Sequence, residues 1–515
     1  MKKTIKFGCM ALSAVMALGM VACGDGGDEG GGPSGSKATG SISVHCFSGG
    51  FGNEVNKKLA ADYKALTGVS VKYVPSYSAG EIQSLLNDGQ EKNDIVMPLL
   101  NMYRAQDTKK LEDLSDVYDS KYDGETKTVG EKMNSTLYEY IRAEDGKRYQ
   151  MFANNSVSAM CYNADTLDEA FGKGNWILPR TTKELFAMGD ELKSKGYYTF
   201  SAAVGINYNW DYMGTVWWAQ YDGYESYNKY YEGKYYDNGE WKLGTEIANT
   251  TGRKIALETL SAMLKKTNGY IHQKGERMGF EQAQAAFLGH GYVDDMKKCA
   301  FMVNGDWLEN EMSSWLIQKP QNIGMMRAPV VSELADKLDS VDGEAKLAAI
   351  VQAVDEGKTE LDGVTAEDFA FVKSARLMGY TATPNYPIAI PSYRPDSKKK
   401  LAKDYLVYLY SDRAQKIIAS ELQGLTYPTD YEPDESVNIS GFVKSRRTAF
   451  GNDFVPIFPN NSSPVMYLGG LSDLSGASSP DSELYKGTTA KSIFDKAITS
   501  LEYAWNDILR SAGLA

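Results

Sequence analysis

Residues 41–97 decide the fold, beginning with Ser41-Ile-Ser-Val-His-Cys-Phe47, which alternates apolar and polar side chains as a β-strand does. A helical pattern follows, then a strand, a helix and an apolar strand. These segments are Glu54 to Leu66, Val69 to Tyr73, Glu81 to Asp88 and Asp94 to Met97. Alternating strands and helices predict an α/β fold with a parallel, helix-covered sheet. Because ligands bind beyond the carboxyl ends of such strands, the loop from Ser48 to Asn53 is expected at a binding edge.

Helical patterns recur along the rest of the chain. Thr181 and Glu184 have the spacing of a capping box, so a helix is expected to begin there. A charged, Ala-rich stretch at 332–365 is interpreted as an inserted helical pair. Five further helices are predicted at Arg253 to Lys266, Phe280 to Leu288, Ala366 to Leu377, Lys398 to Ser411 and Ala490 to Arg510.

Length and charge limit the class of protein. The chain has 515 residues, 43% of them hydrophobic, which is enough for at least two domains with their own cores. It carries 55 Lys and Arg against 67 Asp and Glu, a net charge of −12. This acidic balance argues against nucleic acid as a partner, since phosphate binding needs a basic surface.

The N-terminus reads as an export signal. Three lysines precede an apolar run from Phe7 to Ala22 that is too short to span a membrane, so residues 1–22 are interpreted as a signal peptide. Met20-Val-Ala-Cys23 resembles the lipobox of bacterial lipoproteins, which implies lipidation of Cys23; plain cleavage near Ala22 is the alternative. Residues 23–40 are Gly-rich and polar, as expected for a flexible tether. Removal of residues 1–22 leaves a charge of −15.

Three cysteines remain in the mature chain beyond the lipidation site. Cys46, Cys161 and Cys299 each lie in an apolar, strand-like run, which favours buried free thiols. One disulfide with a leftover thiol is the alternative.

A segment rich in aromatic residues is the main binding signal. Residues 197–241 hold 16 aromatic side chains in 45 positions, against 11% for the whole chain. Aromatic faces stack on the C–H face of a sugar while polar neighbours bind its hydroxyls. Trp210, Tyr212 and Trp217 are therefore candidate ligand contacts. Core packing is the alternative for any single residue, and peptide recognition by tyrosines would look similar.

Five motifs appear in an order that resembles one known family. They are Asp94-Ile-Val-Met97, Met160-Cys-Tyr-Asn163, Pro179-Arg-Thr181, Ala300-Phe-Met-Val-Asn-Gly-Asp-Trp307, and Ala389-Ile-Pro-Ser with the helix from Ser397 to Gln415. Together they resemble the extracellular solute-binding proteins of bacterial ABC transporters, in the sugar-binding family related to maltodextrin-binding protein.

This resemblance implies a two-lobed periplasmic-binding-protein-like fold with hinge strands and a ligand cleft. Lobe 1 is expected to comprise residues 41–155 and 387–422, and lobe 2 residues 156–386 and 423–515. The family is not catalytic and needs no cofactor. The implied partners are a carbohydrate, expected to be an oligosaccharide that is released unchanged, and the subunits of an ABC permease. The protein is expected to be a monomer, lipid-anchored on the extracytoplasmic face of the cell membrane.

Matching positions also imply ligand contacts. Trp307 corresponds to a tryptophan that stacks on sugar, and Asp306 is expected either to accept hydroxyl hydrogens or to cap the following helix. Asn101 falls near the position at which relatives have a carboxylate that binds sugar hydroxyls, and its amide can both donate and accept hydrogen bonds. The remaining candidates are Gly50 and Asn53 in the first loop, Asn155 at the first crossing between lobes, and Tyr427 in a late cleft loop.

Two rival functions stay open. A secreted enzyme acting on glycans would share the export signal, and a surface lipoprotein that binds glycan or peptide without transport would share the cleft. The sequence lacks nucleophile-elbow, zinc-protease and phosphate-loop motifs. The histidines at 45, 272 and 290 are scattered, and the acidic stretches Asp294-Asp295 and Asp116 to Asp123 lack the spacing of a calcium loop. No metal site is therefore predicted.

Overall fold

A computed structural model of the chain describes residues 40–289, 298–451, 454–474 and 479–515. The predicted signal peptide, Cys23 and nearly all of the tether lie outside the described residues, as do His290 and Asp294-Asp295. None of the helices in the described ranges combines the length and the apolar character that crossing a membrane requires.

The strands in these ranges form four sheets. They are β1 (Ser41–Phe47), β2 (Ser70–Ser76), β3 (Ile95–Met97), β4 (Met151–Phe152), β5 (Val157–Asn163), β6 (Tyr198–Ser201), β7 (Lys234–Asp237), β8 (Glu240–Leu243), β9 (Cys299–Gly305), β10 (Ile323–Met326), β11 (Met378–Thr381), β12 (Pro387–Ile388) and β13 (Val455–Ile457).

Helices surround the sheets. They are α1 (Glu54–Thr67), α2 (Glu81–Asn87), α3 (Tyr103–Asp107), α4 (Ser115–Asp119), α5 (Val129–Lys132), α6 (Ser135–Tyr140), α7 (Ala164–Phe171), α8 (Thr182–Ser194), α9 (Thr215–Asp222), α10 (Tyr224–Tyr230), α11 (Thr251–Leu264), α12 (Phe280–Phe287), α13 (Leu308–Glu311), α14 (Ser313–Gln318), α15 (Gly343–Asp355), α16 (Ala366–Leu377), α17 (Asp396–Leu409), α18 (Asp412–Glu421), α19 (Gly441–Ala449), α20 (Pro464–Tyr467), α21 (Pro480–Lys486) and α22 (Ala490–Ser511).

The first sheet has the order β2-β1-β3, and both pairings are parallel, as the sequence predicts. The helix α1 buries Val55, Leu59 and Tyr63 and ends at Gly68, whose φ of +81° a residue with a side chain rarely adopts. A later part of the chain extends the sheet, because Ala389 pairs antiparallel with Val96.

The second sheet is mixed. Its order is β13-β11-β5-β9-β6, and β10 also pairs with β5. Every residue of β9 is buried, so its apolar sequence reflects a central strand covered on both faces.

The two larger sheets have separate hydrophobic cores. One core draws on residues 42–152 and 388–427, and the largest core around the second sheet draws on residues 160–382 and 457–512. The chain therefore crosses between two bodies three times. The first two crossings meet where β4 pairs antiparallel with β12, and the third joins them where the Asn155 amide donates to the Thr426 carbonyl at 3.1 Å.

The local predictions are largely confirmed. The Thr181 side chain caps α8 by accepting from the Glu184 amide, although the Glu184 carboxylate binds the Arg180 amide and does not complete the box. The expected helical pair at 332–365 is wrong in its bounds: this stretch holds a 3₁₀ turn at Ser332–Asp336 and α15, which packs on the later helix α16. Cys46, Cys161 and Cys299 are buried, and the first two are free thiols.

Candidate ligand cleft

The two lobes touch where the loop after β1 meets the residues after β9. The carbonyl of Gly50 accepts a hydrogen bond from the Asn310 side chain. Gly50 has φ of +56°, and a Cβ there would lie 3.6 Å from the Cβ of Trp307. Glycine is therefore favoured by the backbone turn, whereas a Cβ at this distance would make only an ordinary contact with Trp307.

A chain of aromatic rings lines this contact. We call it the aromatic seam; it comprises Phe51 of lobe 1, Tyr208, Tyr212, Trp307 and Tyr380 of lobe 2, and Tyr386 in the second crossing. The ring centroids of Phe51 and Trp307 are 6.3 Å apart, and those of Tyr212 and Trp307 also 6.3 Å. Tyr208 stacks on Tyr212 at 4.9 Å. These are edge-on and stacked geometries of favourable aromatic contacts.

Burial favours the neutral forms of the ionisable groups in and beside the seam. Burial raises the pKa of Tyr212 well above its usual value, and the neighbouring charge of Asp211 raises it further. The same two causes, with Glu311 as an additional neighbour, raise the pKa of Tyr208. Burial, reinforced by Asp473 and Asp481, also raises the pKa of Asp211 well above its usual value. The phenols therefore stay neutral and present hydroxyl groups that can donate and accept hydrogen bonds.

An open cavity of about 770 Å³ lies between other parts of the two lobes, and we call it the outer cleft. Lobe 1 contributes Tyr103, Tyr140 and Tyr149 to its lining, and lobe 2 contributes Glu232 and Tyr467. Tyr103 approaches Tyr140 at 6.2 Å and Tyr467 at 6.3 Å between ring centroids. The volume of the outer cleft falls in the range of about 300–1,000 Å³ typical of small-molecule sites.

Trp307 owes its position to the glycine two residues before it. A Cβ on Gly305 would lie 2.3 Å from atoms of the Trp307 ring, so the indole folds back over the end of β9. Trp307 is 6% exposed and contacts rings from both lobes. The Asn304-Gly-Asp-Trp307 motif thus places an indole at the interface between the lobes.

Asp306 has a different role from either of the two expected. It does not cap α13: the N-cap position is Trp307, and no side-chain hydrogen bond caps this helix. Its carboxylate accepts from the Ser156 hydroxyl at 2.6 Å and the Val157 amide at 3.0 Å, and it lies 3.3 Å from the Arg446 Nε. At 2% exposure it has no access to a ligand in this conformation.

Two of the three candidates in the aromatic segment pack in the core. Trp217 is fully buried, and its Nε1 donates to the Pro329 carbonyl at 3.1 Å. The Nε1 of Trp210, also buried, donates to Asp473 at 3.0 Å. Tyr212 alone among them joins the seam. This corrects the expectation for Trp210 and Trp217, because both indoles are enclosed and hydrogen-bonded by protein.

The remaining candidates lie in lobe 1 or at the crossings. Asn53 donates from Nδ2 to Ser48 at 2.6 Å, while its buried Oδ1 has no hydrogen-bond partner among the described residues. Asn101 follows β3 at the same sheet edge, and its carbonyl accepts from Gln83. Asn155 lies at the first crossing, where it lines a separate cavity of about 500 Å³.

Tyr427 is enclosed near the first loop. Its ring packs on Tyr410 at 5.7 Å between centroids, and it lines a small cavity of about 70 Å³ with Phe51 and Tyr386. Asn154 borders the same cavity, and its buried Oδ1 has no hydrogen-bond partner among the described residues.

Sequence reasoning missed several residues of the seam. Phe51 lies inside the loop that was expected at the binding edge, and Tyr208 lies inside the aromatic segment, so both signals were available. Tyr380 and Tyr386 carry no local signal, because only the antiparallel return of the chain through β11 and β12 brings them to the site.

In the portion of the chain that the structure describes, no group of three or more His, Cys, Asp and Glu side chains could hold a metal ion. His45 contacts Glu91 at 2.7 Å, which gives this buried histidine a structural partner.

Comparisons with known proteins identify the family. A family model described as bacterial extracellular solute-binding protein matches residues 58–439. No curated protein matches the chain significantly. Structures of RafE in complex with raffinose and of a chitin oligosaccharide binding protein share 15% and 14% identity, each with a TM-score of 0.59, and the matches cover 90% of this chain and 99% of theirs.

A further solved structure, the binding protein MsmE of Bacillus subtilis in an open conformation, has a TM-score of 0.57 at 14% identity and covers 92% of this chain and 99% of its own. At these identities the likeness establishes the two-lobed fold. The family model spans most of the chain, and this protein therefore belongs to the bacterial extracellular solute-binding proteins.

Proposed function

We propose that this protein captures an oligosaccharide between its lobes and releases it unchanged to an ABC importer. The observation that carries the proposal is the aromatic seam, in which rings from both lobes meet at the contact between the lobes. A ligand held there would touch both lobes at once, so it would favour the closed arrangement.

The chemistry of the cleft suits a neutral sugar. Trp307 is buried in this arrangement of the lobes. With the lobes further apart, the faces of Trp307 and Tyr212 would offer apolar area for the C–H face of a sugar ring, and the neutral phenols would offer hydrogen bonds to its hydroxyls. We propose Trp307 as the main stacking platform, with Tyr212 and Phe51 beside it. Gly50, Asn53 and Asn101 would supply polar groups from the loops of lobe 1.

The structural neighbours support this choice of ligand class. RafE is described with raffinose, and another neighbour is described as binding chitin oligosaccharide. Both are fold relatives at low identity, so they make oligosaccharides the first class to test and leave the particular sugar open.

Membrane attachment and delivery complete the proposal. A diacylated Cys23 followed by the polar stretch to residue 40 would hold the lobes near the outer face of a membrane, where permease subunits would receive the ligand. The proposal rests on the lipobox-like residues 20–23 and on the family of the chain.

A binding screen tests the function. The purified protein should show a higher Tm with at least one neutral oligosaccharide from a set that includes raffinose and chitin oligosaccharides, because a ligand that binds only the folded state stabilises it. Calorimetry then gives Kd, and chromatography of the recovered sugar should show no change in chain length. Shortened sugars would favour a glycan-active enzyme, and a response to peptides alone would contradict the sugar proposal.

A further inference from the structure

A network of buried hydrogen bonds lies at the junction of the crossings. The first crossing is tied to the second at Ser156: its amide donates to the Thr383 hydroxyl at 3.0 Å, and its carbonyl accepts from the Ala382 amide at 3.1 Å and the Thr381 hydroxyl at 2.8 Å. Asn155 binds the third crossing through Thr426. All three crossings therefore meet at residues 155 and 156.

Two charged residues from distant parts of lobe 2 hold this junction. Asp306, at the end of β9, binds the Ser156 hydroxyl and the Val157 amide, while its own amide donates to the Val157 carbonyl at 3.0 Å. Arg446, on α19, donates to the Asn155 carbonyl and lies 3.3 Å from the Asp306 carboxylate. Both side chains are buried, so their charges compensate each other in a medium where an unpaired charge is costly.

The same carboxylate is adjacent to the proposed ligand platform. Asp306 immediately precedes Trp307, whose ring meets Phe51 of lobe 1. A displacement of the Trp307 backbone therefore displaces the group that holds Ser156 and Val157. Asp306 and Arg446 hold residues 155–157, so residues 153–154 alone separate the held segment from β4. A change in the angle between the lobes therefore requires the backbone of the first crossing to bend at residues 153–154.

We propose that Asp306 and Arg446 form a clamp that fixes the junction of the crossings to lobe 2 and couples the position of Trp307 to the hinge. They are positioning residues: neither contacts the ligand, and both act through Trp307 and residues 155–157. The clamp makes lobe 2 and the junction move as one body and confines bending to the lobe 1 side.

The test removes the clamp without leaving a lone buried charge. The full chain is prepared with the double substitution Asp306→Asn and Arg446→Met. A matched control is Asp94→Asn with Arg394→Met, which removes an ion pair at the start of β3 in lobe 1 with contacts of 3.1 and 2.8 Å; its carboxylate likewise accepts from a serine hydroxyl and a backbone amide, both of Ser43. Arg446→Lys, which keeps a positive charge beside the Asp306 carboxylate but loses the guanidinium that reaches the Asn155 carbonyl, is the milder variant if the double variant does not fold.

Two measurements separate a clamp from a general stabiliser. Hydrogen exchange of the Val157 amide should become at least about tenfold faster in the clamp variant and stay at its wild-type rate in the control. The distance distribution between spin labels at Lys64→Cys and Glu502→Cys should broaden in the clamp variant only. A folded clamp variant with wild-type exchange and distances would overturn the proposal, as would an equal change in the control.

Discussion

Replacement of Trp307 by alanine should weaken sugar binding without abolishing the fold. If one face of the indole covers a sugar ring, about 75 Å² of apolar area leaves water, which at about 25 cal/mol per Å² is worth about 2 kcal/mol. This difference corresponds to a Kd about 30-fold higher. Trp307→Phe keeps a ring at the site and should lose less. Calorimetry with the tightest-binding oligosaccharide of the screen measures both values.

The same substitution also removes packing from the interface between the lobes, so stability needs its own control. Deletion of a buried aromatic side chain typically costs about 3–5 kcal/mol of unfolding free energy. Trp217→Phe is the matched control, because Trp217 is fully buried in the core and donates to Pro329. It should lower the Tm and leave Kd unchanged. The reasoning is refuted if Trp307→Ala binds as the wild type does, or if Trp217→Phe weakens binding equally.

Three further perturbations have defined outcomes. Gly305→Ala should displace the Trp307 indole, since the new Cβ would lie 2.3 Å from its ring, and calorimetry should show weaker binding; wild-type affinity would contradict this position for the indole. Burial raises the pKa of Asp481 to about 7, so the folded state holds a proton that the unfolded state releases near pH 4. The unfolding free energy should therefore fall as pH rises from about 4 to 7, by on the order of 1–4 kcal/mol, and Asp481→Asn should flatten that slope in denaturant titrations; an unchanged slope would show that another group is responsible. Cys23→Ser should move the protein from the membrane to the soluble fraction, and continued need for detergent would argue against lipidation.

The first lobe could be predicted from the sequence because its information is local. The alternation in β1, the apolar face of α1 and the stop at Gly68 each act within one element, and their order implies the parallel sheet. The motif from Ala300 to Trp307 likewise indicated the segment at the end of β9 that carries Trp307. Such signals depend on neighbours in the chain, which a sequence displays directly.

The binding site was predicted less well because its parts are far apart in sequence. Composition located the aromatic segment, but only packing decides that Tyr212 faces the seam while Trp217 faces the core. Asp306 was expected to bind a ligand or cap a helix, and its true partners, Ser156 and Arg446, lie about 150 residues away on either side. No local pattern reveals such a pairing.

A crystal structure of the protein with the oligosaccharide selected by the screen tests the central claim most directly. The account predicts electron density for an intact sugar between the lobes, with one ring over the face of Trp307 and another part of the ligand reaching lobe 1 at the loop of Gly50. Density confined to the cavity beside Asn155, or a ligand that contacts one lobe only, would contradict it.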